Sequence, residues 1–295
     1  MRDGWTVQSR QLGRHLRELR QRSGVSVDMV AAELRLHPAT IYRYEAGKQV
    51  PRPLYVSAMC RAYGVEEGIA DALVALTAEA EAPGWWRSHN GAIPQWFDTF
   101  IGLESGATHL RAYDAEVVPG VLQTRGYADA IIRTGRPALS DADRDERVAV
   151  RMERQRILAR GRPPRLDVVL GEAVLAMRFA AGVMREQLRH LDAMSRRPDV
   201  TIRVMPAGLP HCALSAGARF CMLTFPEGRN AEPPLVYAES LCGALYLDKP
   251  AEIESYTAVW DGIVPAALPP GDSRDLIAAR LRGIDDDRLV SGGVA

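Results

Sequence analysis

The side chains best suited to binding a metal lie in the second half of the sequence. His211, Cys212, Cys221 and Cys242 fall within 32 residues of one another, and three thiols with an imidazole suffice for zinc. Their spacing matches no compact zinc motif, and Cys221 and Cys242 stand in apolar stretches. Because free cysteine behaves as a small buried hydrophobe, we interpret these residues as packing and predict no metal site.

Carboxylates end two of the predicted strands. Glu172 follows a strand predicted at residues 166–170, and Glu239 ends one at 235–239. Two interpretations stay open: a site for a ligand or partner, or a pair of structural carboxylates. A further cluster of acidic residues stands at the start of a predicted helix. The helix dipole favours negative charge at that end, so we interpret the cluster as a helix cap and a solvated face. It consists of Asp141, Asp143, Asp145 and Glu146.

Motifs of the common catalytic classes are missing from the sequence. It has no Gly-rich phosphate loop, no G-x-S-x-G and no H-E-x-x-H, which are the patterns of nucleotide-binding loops, serine hydrolases and zinc proteases. We therefore expect a protein that is not an enzyme and needs no cofactor.

Aromatic residues cluster between positions 85 and 97. Trp85 and Trp86 are adjacent, and Trp96-Phe97 follow shortly after. Such a cluster is either ordinary core or interface packing, which we prefer, or the wall of a ligand pocket.

Charge divides the chain into two unlike parts. The whole chain has 37 basic and 37 acidic residues, yet residues 1–65 carry eleven basic and five acidic ones. That segment therefore carries a net charge of +6, and the remainder carries a net charge of −6. The basic segment indicates a polyanionic partner. The acidic remainder is expected not to contact that partner.

Composition indicates a folded, cytoplasmic protein. Apolar residues make up 47% and charged residues 25%, as in globular proteins. No stretch supplies the ~20 apolar residues of a membrane span. Four cysteines do not form a disulfide framework, and the arginine-rich start lacks the apolar core of a signal peptide.

Four short helices are predicted in the basic segment. The first spans residues 9–23 and ends at Gly24. Ser26 is a suitable N-cap for the second, Pro38 begins the third, residues 38–46, and Pro53 begins the fourth. A tight turn between the second and third helices is typical of a helix-turn-helix.

The string from Leu12 to Pro53 resembles the λ-repressor-type (Xre-type) DNA-binding domain. The resemblance covers about residues 9–64. It rests on Leu12-Gly13, Leu16-Arg17, Leu19-Arg20, Gly24, Ala31, Ile41, Glu45, Gly47 and the basic, proline-containing run that follows.

This resemblance assigns roles to residues around the third helix, which lies in the major groove in this fold. It implies base contacts from His37, Ala39, Thr40 and Arg43, with Arg43 the best match to guanine. It also implies phosphate contacts from Ser26, Val27, Lys48 and Arg52, and a structural ion pair between Arg20 and Glu45.

The remainder of the chain predicts a mixed domain of helices and a modest sheet. Residues 66–82 form a linker helix, 83–285 a regulatory and dimerisation domain, and 286–295 a flexible tail. A short apolar run stands at 117–118. Strands are predicted at 166–170, 200–205, 220–225, 235–239 and 244–247. Helices are predicted at 123–134, 141–161, 184–196, 252–263 and 273–284. The predicted fold class is a multidomain protein, with an all-α helix-turn-helix domain followed by a mixed α/β (α+β) domain.

Several strings of this second part resemble the C-terminal domain of the antitoxin-like helix-turn-helix regulators abundant in Streptomyces and its relatives. Val118-Pro119-Gly120-Val121-Leu122-Gln123-Thr124 with Tyr127-Ala128 is the most specific of them. The resemblance implies a small acidic partner protein encoded nearby as a candidate partner.

The sequence therefore predicts a nucleoid-associated transcriptional regulator that binds double-stranded operator DNA as a homodimer. Its C-terminal domain would sense a small-molecule effector or a partner protein. The candidate residues of that sensing site are Trp85, Trp86, Trp96, Glu172 and Glu239. Two alternatives are an antitoxin-like adaptor that mainly sequesters a protein, and, less favoured, an enzyme with an autoregulatory DNA-binding domain.

Overall fold

The computed structural model divides the chain into two compact units. It describes residues 7–81, 94–179, 182–208, 219–227, 232–240 and 243–291, without the side chains of 78–81, 95 and 285–291. Of these, the first unit contains residues 7–81 and 94–106 together with Pro226, Glu227 and Glu232. The second unit contains the rest.

The first unit is all-helical among its described elements. Proline stands in the first turn of α3 and of α4, where a missing N–H costs nothing. Ser26 caps α2 by accepting the N–H of Met29 at 3.2 Å. The helices are α1 Val7–Ser23, α2 Val27–Glu33, α3 Pro38–Glu45, α4 Pro53–Ala62, α5 Glu67–Glu81 and α6 Gln95–Gly106.

One apolar core joins the first five helices. Leu12 and Leu16 of α1, Ile41 of α3 and Met59 of α4 are fully buried in it. The segment predicted as a linker helix is helical, and its Leu73 is buried in the same core. α5 is therefore the fifth helix of this unit.

The second unit is built on a six-stranded mixed sheet with strand order β3-β2-β1-β4-β5-β6. β1, β2 and β3 run parallel, and β4, β5 and β6 follow antiparallel. The strands are β1 His109–Asp114, β2 Arg165–Gly171, β3 Val200–Met205, β4 Arg219–Thr224, β5 Leu235–Ser240 and β6 Gly243–Leu247.

The apolar run at 117–118 lies outside the sheet, and the first strand, β1, is not predicted from the sequence. Asp114 Oδ1 accepts the N–H groups of Glu116 and Val117 at 3.1 and 2.9 Å, which turns the chain out of the sheet before Val118. The polar residues His109 and Arg111 alternate within β1, so its apolar pattern is weak in the sequence.

Helices surround the sheet. α10 covers one face, where Trp260 and Ile263 pack in one cluster with Tyr113 and Phe220. The outer edge of β3 is also covered, because the Val204 N–H donates to Ser273 Oγ and its carbonyl accepts from Leu268 N–H. The helices are α7 Arg125–Gly135, α8 Asp141–Arg154, α9 Val183–Met194, α10 Pro250–Ala266 and α11 Pro270–Ser291.

The predicted fold class is confirmed, since a helical helix-turn-helix region precedes a mixed-sheet α/β domain. Two boundaries differ from the predictions. The helix predicted at 141–161 ends at Arg154 and continues as the 3-10 turn Gln155–Ala159. α11 continues to Ser291, into the segment predicted as a tail. No helix in the described ranges is long and apolar enough to cross a membrane.

Candidate nucleic-acid interface

α3 has one face in the core and one open to solvent. Ile41 and Tyr44 are buried, which fixes the rotation of the helix about its axis. The opposite face exposes Ala39, Tyr42 and Arg43. This is the geometry that a recognition helix needs, with an apolar side for anchorage and a free side for base edges.

Two of the predicted base-reading residues also hold α3 together. His37 is its N-cap, and its Nδ1 accepts the N–H of Ala39 at 3.2 Å. Thr40 Oγ1 accepts a hydrogen bond from Arg43 at 3.1 Å. The Arg43 guanidinium is thus positioned over the first turn of α3 before any ligand arrives.

Arg20 and Glu45 form a two-pronged ion pair between α1 and α3. Arg20 Nε and NH2 lie 2.5 and 2.9 Å from the two Glu45 oxygens, and NH1 donates to the Val25 carbonyl at 3.1 Å. The bond to Glu45 raises the pKa of the Arg20 guanidinium above its ordinary value. The pair is largely shielded from water and holds α3 against α1.

Backbone packing between α1 and the end of α3 is equally close. A methyl group at Gly13 would overlap the Tyr44 carbonyl oxygen. Gly47 has a φ of +68°, and a Cβ there would lie 2.7 Å from the Arg10 Cα. Only glycine fits at these two positions. Lys48 follows Gly47 directly and lies just past the end of α3.

Three of the four residues predicted to contact phosphate lie in exposed positions. Lys48 and Arg52 are exposed, as is Ser26, while Val27 is buried in the core. Ser26 Oγ is engaged in capping α2. The DNA roles of these four residues stay predictions.

Sequence reasoning missed two exposed residues of this region. Tyr42, 60% exposed, follows Ala39 by one helical turn, and that spacing was the available signal. Arg35, in the turn between α2 and α3, has a φ of +53°. No local pattern marks a left-handed arginine, because glycine is the residue expected there.

A buried ionic cluster on α1 was also missed. The Glu232 carboxylate is fully buried and pairs with Arg10 Nε at 2.8 Å and with the Arg14 guanidinium. More than 200 residues separate Glu232 from these arginines, so no spacing in the sequence indicates the contact.

In the second unit, both predicted site carboxylates have partners within the chain. Glu172 accepts the Ala207 N–H at 3.0 Å and a bond from Arg280 at 2.8 Å. Glu239 accepts the Tyr237 hydroxyl at 3.2 Å and faces Arg219 at 3.4 Å.

The two carboxylates belong to separate clusters. β2 and β5 have two strands between them, which at the usual spacing separates them by roughly 14 Å. Within the described residues each carboxylate therefore has its own structural partners.

Trp96 lies on α6 in the first unit, where it contacts Phe97 edge-to-face with ring centroids 5.8 Å apart. Trp85 and Trp86, the other aromatic candidates, lie outside the described residues. The sensing roles of these tryptophans and of the two carboxylates stay predictions.

The described part of the chain contains no group of three His, Cys, Asp or Glu placed to hold a metal. Cys60 is buried and Cys221 is half-buried, and neither of these two cysteines forms a disulfide. Of the zinc candidates weighed above, His211, Cys212 and Cys242 lie outside the described residues.

Comparison with known families accounts for both units. The model of a domain of unknown function, DUF5753, matches residues 97–279, more than half of the chain. The chain belongs to the DUF5753 family. The match takes in all six strands of the sheet, so the DUF5753 domain comprises the mixed-sheet fold described above.

A helix-turn-helix family model matches residues 11–73, which runs from α1 into α5. This match indicates a DNA-binding regulator. No curated protein matches the chain significantly.

Proposed function

We propose that this DUF5753 protein is a sequence-specific transcriptional regulator of the Xre type, of the kind abundant in actinobacteria. The observation that carries the proposal is the exposed face of α3, presented by an apolar core on its other side. A helix presented in this way in a helix-turn-helix enters the major groove of operator DNA.

The residues on and beside this face divide into two roles. Arg43 reads a base, because its guanidinium can bond to guanine O6 and N7 together, and Ala39 and Thr40 add contacts at the first turn. Lys48 and Arg52 contact phosphates, which adds affinity for all sequences alike.

The protein binds its operator as a homodimer. One helix-turn-helix unit buries little surface on DNA, whereas two of them reach half-sites about 34 Å apart on one face of the duplex. The exposed part of α3 supports few base contacts, which favours two copies.

The DUF5753 domain has a sensing role without catalysis. It receives a small molecule or a small acidic partner protein, and the signal changes operator binding. The supporting feature is the net negative charge of the chain beyond residue 65, opposite in sign to that of the basic segment. This negative charge disfavours direct contact of the domain with DNA.

Selection of bound sequences from a random duplex library tests the proposal. We expect an enriched motif with two related half-sites whose centres lie about ten base pairs apart or a multiple of that. Recovery of unenriched DNA, or no retention of DNA at low salt, would contradict sequence-specific binding.

A further inference from the structure

The ends of the first four helices share one backbone device. After α1, α3 and α4 the chain enters the left-handed region at a glycine, with φ of +70° at Gly24, +68° at Gly47 and +68° at Gly64. A glycine adopts this conformation without steric cost because it lacks a Cβ.

α2 ends in the same way but without a glycine. The Arg35 N–H bonds to the Ala32 carbonyl at 3.2 Å and the Leu36 N–H to the Ala31 carbonyl at 2.8 Å, the two bonds of a Schellman motif. Leu36 packs against the core. Arg35 itself has a φ of +53°, a conformation that an arginine adopts only with strain.

The Arg35 side chain does nothing for the fold that would offset this strain. It is exposed. Within the described residues, its guanidinium forms no hydrogen bond or ion pair. The fold requires this backbone conformation but not an arginine to adopt it, and a residue kept at a strained position is characteristic of a functional site.

We infer that Arg35 is a DNA phosphate-binding residue, held in the helix-turn-helix turn at the expense of fold stability. The inference rests on the proposed function. In the bound motif, the first helix crosses the phosphate backbone and the start of the second enters the major groove. The turn joins the two, so an exposed guanidinium there lies beside the phosphates bordering the groove, which arginine binds with two parallel hydrogen bonds.

Two substitutions separate strain from charge. Arg35→Gly removes the guanidinium and relieves the strain, whereas Arg35→Lys keeps a positive charge and the strain. Arg61→Ala is the matched control, since Arg61 is also an exposed arginine and lies on α4. The probe is a mixed-sequence duplex of about 30 base pairs, long enough for two half-sites, because phosphate contacts do not depend on sequence.

We expect Arg35→Gly to be more stable and to bind DNA less well. Its first thermal transition should rise by about 2 °C, while its affinity for the duplex falls about tenfold. The slope of log affinity against log salt, measured between about 50 and 200 mM, should become shallower by about 1.8, which is about 0.9 for each of the two copies in the dimer. Arg35→Lys and Arg61→Ala should keep the slope of the unmodified protein.

Three results would overturn the assignment. The first is that Arg35→Gly retains the affinity and the salt slope of the unmodified protein. The second is that Arg35→Gly unfolds at a lower temperature than the unmodified protein. The third is that Arg61→Ala changes the salt slope by as much as Arg35→Gly does. If the unmodified protein binds no duplex at any of these salt concentrations, the proposed function itself fails, and that outcome is distinct from the other three.

Discussion

At the scale of single residues, the first prediction separates reading a base from binding a phosphate. Arg43→Ala should reduce affinity for the selected operator by about 1–3 kcal/mol and affinity for random DNA far less, because it removes the proposed base contact. Lys48→Ala should weaken both DNAs alike. Gel-shift titrations of the two variants on both DNAs provide the measurement.

Equal losses on the two DNAs for Arg43→Ala would contradict its assigned role. Tyr42→Phe serves as a reference on the same exposed face, since it removes only a hydroxyl.

A second residue-scale prediction concerns pH. Burial raises the pKa of Asp114 from 3.8 to about 6, against the opposing effects of the Val117 and Glu116 N–H groups and of Arg219. The folded protein therefore retains a proton that the unfolded chain releases. The resulting stabilisation is complete below pH ~4 and is lost as the pH rises through about 6.

Asp114→Asn removes this dependence, because the amide does not ionise. Relative to this variant, the unmodified protein should lose about 3 kcal/mol of unfolding free energy between pH 4 and pH 7. Urea unfolding at both pH values measures the difference. Asp145→Asn, at an exposed position of α8, is the control, and a constant gap between the Asp114 variant and the unmodified protein would contradict the prediction.

At the scale of elements, the buried ionic cluster joins Glu232 to α1 within the first unit. Glu232→Gln leaves the guanidiniums of Arg10 and Arg14 facing a neutral amide, and breaking such a buried pair is strongly destabilising. We expect the first unit to lose about 3 kcal/mol of unfolding free energy. Hydrogen exchange of the α1 amides measures this loss in the full chain.

Glu227→Gln is the matched control, because Glu227 lies in the same connection between β4 and β5 and is exposed. Unchanged α1 protection in Glu232→Gln, or equal loss in both variants, would show that the cluster contributes little.

At the scale of the whole molecule, the proposed homodimer makes a prediction about operator geometry. Inserting about five base pairs between the half-sites turns them to opposite faces of the duplex, whereas inserting about ten restores the same face. We expect the first insertion to weaken binding far more than the second. Sedimentation of the complex should give two copies of the 32.4 kDa chain per operator.

A single copy on the intact operator, or equal affinity for the two insertions, would contradict the dimer.

The sequence by itself determined the helical part of the first unit. Its helices begin at Ser26, Pro38 and Pro53 and end at Gly24, Gly47 and Gly64. These signals are local, because caps and φ preferences act within a few residues. The charge division and the exposed positions of Lys48 and Arg52 follow from such local information too.

Tertiary structure alone decided the features that join distant segments. β1 is a strand because it pairs with β2 and β4 on either side, although its own apolar alternation is weak. Glu232 meets Arg10 across more than 200 residues. Arg35 is left-handed because Leu36 must reach the core. Each depends on burial and pairing between segments, which only the folded chain brings together.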